Sequence, residues 1–408
     1  MKIAFVLATV LPLAAGEWTA WAPREEIAPK SARQGQSLIT EGGGNASVFG
    51  GWVRDEPVKP GQWYRLKLRY KATGIESERT QLRVSIGWQD ANSKNVGEKE
   101  AGYLAGEHDG WKEFLIECPA DARARSARIE ALILNAPAAR VEWQEAGFER
   151  IEAPKPRPVR VSAIRFRPQG TKEPAVSVKQ LIGIAESKLR EQTDVVLFPE
   201  AITLIGTGKT YIAVSESIPG PTTATLGEFA RKRGTWVVAG IMERDGATVY
   251  NTSVLIDRKG AVAGKYRKVY LPQAEVDGGL TPGSEYPVFD TDFGKVGMMI
   301  CYDAQFADPA RYLAMRGAEL ILMPIWGGPE LLTRGRALEN QVFIATSGYD
   351  YPASIVDPEG AVIASSDVDG TAVSTVIDLN RRYSLRATGN LKTRYRREVR
   401  LDRPADIR

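Results

Sequence analysis

Cys301 stands at the end of an apolar run. In "VGMMICYDAQF", residues 296–306, hydrophobic residues lead into a cysteine and give way at once to polar ones, which is how a chain presents a nucleophile. Two other stretches put a reactive group just past an apolar run: Glu200 in "VVLFPEA", and Lys268 with Glu275 in "KYRKVYLPQAEVDGGLTPG". A thiol is a poor nucleophile until its proton is removed. The usual base is histidine, and the chain has a single one, His108, in the other half of the sequence. A carboxylate can serve instead if partial burial raises its pKa toward the working range and a cation absorbs the charge that develops. Glutamate, lysine and cysteine together therefore suffice for acyl transfer. The glutamate supplies the base, and the lysine supplies the cation and a donor to the oxyanion.

The single histidine also rules out a Ser-His-Asp triad in the half that holds Cys301, and multi-histidine zinc sites. "TGKT", residues 207–210, lacks the upstream glycine spacing of a phosphate-binding loop. A formal charge of +4 is too mild to point to nucleic acid, and the most basic stretch, "LKTRYRREVRLDRP", reads as a solvated tail. With 25% charged and 43% hydrophobic residues the composition is that of a soluble globular protein, and 408 residues allow two or three domains.

The reactive stretches must be positioned by what surrounds them. "MKIAFVLATVLPLAAGEWTAW" carries Lys2, an apolar run from Ile3 to Ala15 and small residues at Ala14 and Gly16. It reads as a signal peptide, residues 1–16, cleaved near Gly16, so the protein is expected to be exported, periplasmic or secreted. No later run is long enough to span a membrane. Residues 17–152 alternate with period two, as in "YRLKLRY", where Tyr64, Leu66, Leu68 and Tyr70 share a face. Such strands, separated by turns such as "KPGQW", predict an antiparallel β-sandwich. On "VKPGQWYRLKLRYKA", "VSIGWQD" and "APAARVEWQEAGFER" this half resembles jelly-roll domains of the carbohydrate-binding, galactose-binding-like type. That resemblance makes a glycan a candidate ligand, although Trp52, Trp63, Trp88 and Trp111 read better as core. Cys118, ending "WKEFLIEC", reads as a small core residue, with a bridge to Cys301 as the minor reading. The sequons at Asn45 and Asn251 matter only in a host that glycosylates exported proteins.

Prolines in "IEAPKPRPVR" mark an extended linker, residues 153–158. From Val159 the texture changes to strands alternating with helices, such as "SVKQLIGIAESKLREQ" with Val178, Leu181, Ile182, Ala185 and Leu189 inward. This predicts a layered α/β domain over residues 159–380, followed by a basic tail, 381–408. Glu200 and Cys301 fall at carboxyl ends of its strands, where chemistry gathers in such folds. The helix after Cys301 is expected to start with Asp308 as N-cap and Pro309 in its first turn.

Taken together, "LFPEA", "YRKVYL" and "GMMICYD", in that order, with "TRGRALENQVFIATS" downstream, resemble the nitrilase superfamily of carbon–nitrogen hydrolases. The resemblance implies an αββα four-layer sandwich, preceded here by the all-β jelly roll, and a homodimer or higher homo-oligomer. It also implies a Glu–Lys–Cys triad: Glu200 as general base, Cys301 as nucleophile, and Lys268 stabilising the tetrahedral intermediate with the backbone N–H of Tyr302. Glu275 matches the family's second glutamate, with Glu285 also within reach. The implied substrate is a small amide, N-carbamoyl compound or nitrile, cleaved through a thioester with no metal or organic cofactor. Nitrile-cleaving members often carry Trp-Glu after the cysteine, so Tyr302-Asp303 leans toward amides or carbamoyl compounds. Acyl-transfer relatives that modify lipoproteins carry several membrane helices, which have no counterpart here. The competing reading is a glycan or cell-surface binding protein whose α/β half is a degenerate scaffold. The complete set of three reactive residues weighs against it.

Overall fold

The computed structural model describes residues 16–383. All of the expected signal peptide but Gly16, and nearly all of the basic tail, lie outside the described residues. The chain divides between Pro154 and Lys155 into two compact units.

The first unit is built from two antiparallel sheets. One has five strands in the order Thr19–Trp21, Phe49–Pro57, Ser126–Leu134, Leu82–Gln89, Asn95–Ala101. The other has six, in the order Lys30–Gln34, Ser37–Glu41, Arg140–Ile151, Trp63–Thr73, Trp111–Pro119, Tyr103–His108. Alternation decides the faces: Tyr64, Leu66, Leu68 and Tyr70 enter the core, while Arg65 pairs outward with Glu117 at 2.6 Å. Cys118 is a buried member of that core and forms no disulfide with Cys301. Trp52 and Trp88 are core residues, but Trp63 and Trp111 are only half-buried. Each of these two opens its strand, at the margin of the sheet, and the Lys71 ammonium sits 4.7 Å over the Trp111 ring.

The second unit holds two six-stranded mixed sheets. The first runs Val262–Arg267, Thr248–Ile256, Trp236–Asp245, Val195–Leu197, Pro158–Arg165, Thr371–Asp378. The second runs Val288–Asp290, Lys295–Met298, Leu320–Pro324, Phe343–Ser347, Ala353–Val356, Val362–Ser366. In each, three adjacent strands are parallel and the remaining pairs antiparallel. Parallel strands are buried on both faces, and "VVLF" shows why an unbroken apolar run is needed. Val195 and Leu197 pack into a cluster with Met298, Leu320 and Leu322 of the other sheet. Val196 and Phe198 pack the opposite way, against Val178 and Leu181 of helix Pro174–Lys188 and Leu226 and Phe229 of helix Pro221–Arg233. In the other sheet, Ile321 and Met323 pack with Ala310 and Leu313 of helix Asp308–Met315 and Ala337 of helix Glu330–Asn340. Among the described residues no helix is long and apolar enough to cross a membrane.

A local expectation about the helix after Cys301 is corrected. Helix Asp308–Met315 takes Ala307 as its N-cap, without a side-chain cap. The Asp308 carboxylate is instead engaged by the hydroxyls of Tyr270 (2.7 Å) and Tyr286 (3.1 Å). Asn251, the acceptor of one of the two sequons, is buried within strand Thr248–Ile256 and unavailable for glycosylation as folded.

Candidate active site

Each reactive side chain follows a strand closely, and each is aimed by its backbone. Glu200 lies three residues beyond strand Val195–Leu197. Its turn is clamped by Gly240, whose N–H donates to the Pro199 carbonyl (3.0 Å) and whose carbonyl accepts from the Ile202 N–H (2.8 Å). The Tyr349 hydroxyl donates to the Glu200 carbonyl at 2.9 Å. The approach is close enough that a Cβ on Gly240 would lie 2.7 Å from the Glu200 Cα. Gly240→Ala should therefore displace the carboxylate and lower turnover by about 100-fold, the cost of misplacing a reacting group by an ångström. Steady-state kinetics beside a thermal melt separate this from unfolding.

Lys268 is the first residue after strand Val262–Arg267. Alternation sends Lys265 and Arg267 to the buried Glu243, at 2.5 and 2.7 Å, and leaves Lys268 on the opposite face. Burial raises the Glu243 carboxyl, but its bonds from Arg267, Lys265 and Thr252 win and hold it at about 2. Lys268 is 1% exposed. Its Nζ donates to Glu200 Oε1 (2.9 Å) and Glu275 Oε1 (2.8 Å). Asn251 Nδ2 donates to the same two oxygens, at 2.7 and 3.0 Å. The second oxygen of each glutamate, Oε2, is buried without a partner among the described residues. Burial pulls the Lys268 ammonium down, but the charges of Glu200, of Cys301 once it ionises, and of Glu275 outweigh it and hold the pKa above its ordinary value. Burial, then the charge of Glu200, raises the Glu275 carboxyl against the pull of Lys268. Glu285 is placed elsewhere, bordering a separate cavity beside Tyr250 and Arg267. Glu275 is thus the second glutamate that reaches the lysine.

Cys301 begins a short 3-10 turn, Cys301–Gln305, in the left-handed region at φ 47°, a strained setting that turns the residue sharply off its strand. Its thiol donates to the Gly327 carbonyl at 3.7 Å. Burial pushes the thiol up to about 12, and the Glu200 charge adds to this. Lys268 and the backbone of Trp326 and Gly327 oppose it. At neutral pH the resting group is a thiol, so attack requires a base. Glu200, Lys268, Glu275 and Cys301 line one cavity of about 200 Å³. The Tyr302 side chain points outward, 36% exposed. Its N–H is in the first turn of the 3-10 segment, where donors lack intrahelical acceptors. His108 is exposed, in the first unit.

Asn251 and Asp303 were not among the sequence-derived site residues. An asparagine inside "VYNTSVLID" is out of character for a buried strand, and that mismatch was the available signal. Asp303 is fully buried. It accepts from the Ile300 N–H (2.9 Å), the Tyr266 hydroxyl (2.7 Å) and the Tyr270 N–H (3.0 Å), tying the cysteine turn to the lysine loop. Arg336, in "RALEN", braces the same turn by donating to the carbonyls of Ala304 (3.2 Å) and Gln305 (3.3 Å).

Burial pushes Asp303 from 3.8 to about 6, despite these bonds. A folded pKa above the unfolded one means the folded chain holds the proton more tightly. This contribution is fully present below 3.8 and is lost as pH climbs through about 6. A shift of this size corresponds to about 3 kcal/mol. Asp303→Asn should flatten that part of the stability–pH curve, read by urea denaturation between about pH 4 and 7.

Residues 161–387 match the family model described as "Carbon-nitrogen hydrolase". Omega-amidase NIT2 of Bos taurus is 33% identical over 230 residues, covering 50% of this chain and 83% of that protein. Omega-amidase NIT2-B of Xenopus laevis is 36% identical over 211 residues, covering 45% and 76%. Among solved structures, Nit3 of Saccharomyces cerevisiae, described as a member of branch 10 of the nitrilase superfamily, superposes with a TM-score of 0.50 at 24% identity. That superposition covers 56% of this chain and 93% of that one, and it bears on the fold alone.

Proposed function

Because the chain belongs to the carbon–nitrogen hydrolase family of the nitrilase superfamily, enzymes acting on C–N bonds other than peptide bonds, we propose that it hydrolyses an amide through a thioester on Cys301. The observation that carries this reading is the meeting of the Cys301 thiol, a Lys268 Nζ hydrogen-bonded to two glutamates, and those glutamates, Glu200 and Glu275, around one cavity. In the proposed course Glu200, through its unpartnered Oε2, takes the Sγ proton as sulfur attacks the amide carbon. Two Lys268 N–H bonds go to the glutamates, which leaves the third for the developing oxyanion, beside the Tyr302 N–H. Glu200 returns the proton to nitrogen, and ammonia or an amine leaves. It then deprotonates a water that attacks the thioester, releasing the carboxylic acid and restoring the thiol. Glu275 and Asn251 position the lysine and Glu200.

The buried Oε2 atoms of Glu200 and Glu275 favour a substrate that brings N–H donors. An amide or carbamoyl nitrogen has them and a nitrile does not. The test is ammonia release from short primary amides, with intact-mass spectra of the protein during turnover. An acyl adduct that maps to Cys301 supports the reading, and neither ammonia nor adduct from any amide overturns it.

Four further readings are part of the proposal. The αββα layering is supported by three of the apolar clusters of the second unit, one shared by both sheets and one between each sheet and its helices. The jelly-roll reading of the first unit is supported by its paired antiparallel sheets. Export is supported by Lys2 and the apolar run of residues 3–15, and N-terminal sequencing of the mature protein tests it. A homo-oligomer is proposed from the family resemblance, and sedimentation velocity tests that.

A further inference from the structure

On the premise of the amide hydrolysis proposed above, we infer that the acyl group of the substrate is uncharged and apolar, and that Leu204, Tyr211 and Trp326 select it. These three residues line both the chamber of about 200 Å³ at Cys301 and a wider neighbouring cavity of about 620 Å³. The two spaces therefore adjoin at these side chains, and an acyl chain too long for the chamber can extend past them into the wider cavity. Trp326 is a fixed wall, packed edge-on to the buried Tyr349 with ring centroids 5.1 Å apart.

Charge decides what can lie there. Inside the chamber two carboxylates face one ammonium, and that ammonium already donates to both. Among the described residues Lys209 is the charged side chain lining the wider cavity, and its ammonium is held by both oxygens of Glu173 at 2.7 Å. Arg167 stacks 5.6 Å from the Trp326 ring, but it borders neither cavity and is paired with Asp350 at 2.6 Å. A carboxylate on the acyl chain would thus lose water and meet only cations already engaged, which is costly. An alkyl or aryl chain would meet the apolar faces of Leu204, Ile212 and Trp326 instead.

The test compares isosteric primary amides with the full-length enzyme. 5-Methylhexanamide and 5-amino-5-oxopentanoate differ by an isopropyl group in place of a carboxylate, and 6-aminohexanamide adds a cationic chain. The neutral amide should show a kcat/KM at least about 100-fold above either charged one. Ile212→Arg, which puts a cation in the wider cavity, should narrow the gap to the carboxylate substrate by about tenfold. Equal rates, or preference for a charged amide, would overturn the inference while leaving amide hydrolysis in place. Hydrolysis of none of the three, with Cys301 unacylated by every primary amide tried, would remove the reaction and this inference with it.

Discussion

Replacing Lys268 by methionine is expected to lower amide hydrolysis by at least about 1000-fold, the scale set by loss of one oxyanion donor. The same change should cost about 3–5 kcal/mol of stability, because it leaves buried charge uncompensated. Methionine keeps the length of a side chain that is 1% exposed but removes the ammonium between Glu200 and Glu275. The two carboxylates would then face each other with only Asn251 donating to both. One of them must hold a proton, so the Glu275 carboxyl moves further above its ordinary 4.5, the direction in which it is already displaced. Stability of the variant should be best below 4.5 and fall more steeply than the wild type as pH rises above it. Urea denaturation at several pH values reads this slope. Adding Glu275→Gln should restore much of the stability without restoring turnover. If the single variant is as stable as the wild type at neutral pH, the carboxylates are not both charged and the proposed electrostatics fail.

Cys301→Ser is the second large effect. Turnover should fall by at least about 10⁴-fold with little change in the melting temperature. Serine nearly matches the cysteine in size and accepts the same φ of 47° no worse, so the turn set by Asp303 and Arg336 should hold. What changes is the proton. A thiol pushed up to about 12 can still pass its proton to a neighbouring carboxylate as the C–S bond forms. A hydroxyl is a far weaker acid, and a glutamate is a poor base for it. Appreciable activity in Cys301→Ser would mean that the cysteine is not the nucleophile. A crystal structure or a circular dichroism spectrum unlike the wild type would instead assign the loss to folding.

Much of the fold was written locally. Period-two alternation in "YRLKLRY" and continuous apolar runs such as "VVLF" separate a two-sheet unit from an α/β unit, because side-chain direction in a strand depends only on the neighbouring residues. The placement of Glu200, Lys268 and Cys301 just past such runs was legible for the same reason. Contacts across the sheets were not. Glu275 and Glu285 look alike in a glycine-rich loop, and only the short helix Gln273–Asp277 turns one toward Lys268 while the other borders a different cavity. Asn251 acquires its place from antiparallel pairing of strand Thr248–Ile256 with its neighbours, which brings it to Glu200 and Glu275 at once. Asp303 looked like a marker of substrate type until the fold set Tyr266 and Tyr270 against it. Sequence alone determined which residue types stand at strand ends and in what order. Strand order and register decided which of them touch, because those depend on the packing of the whole sheet.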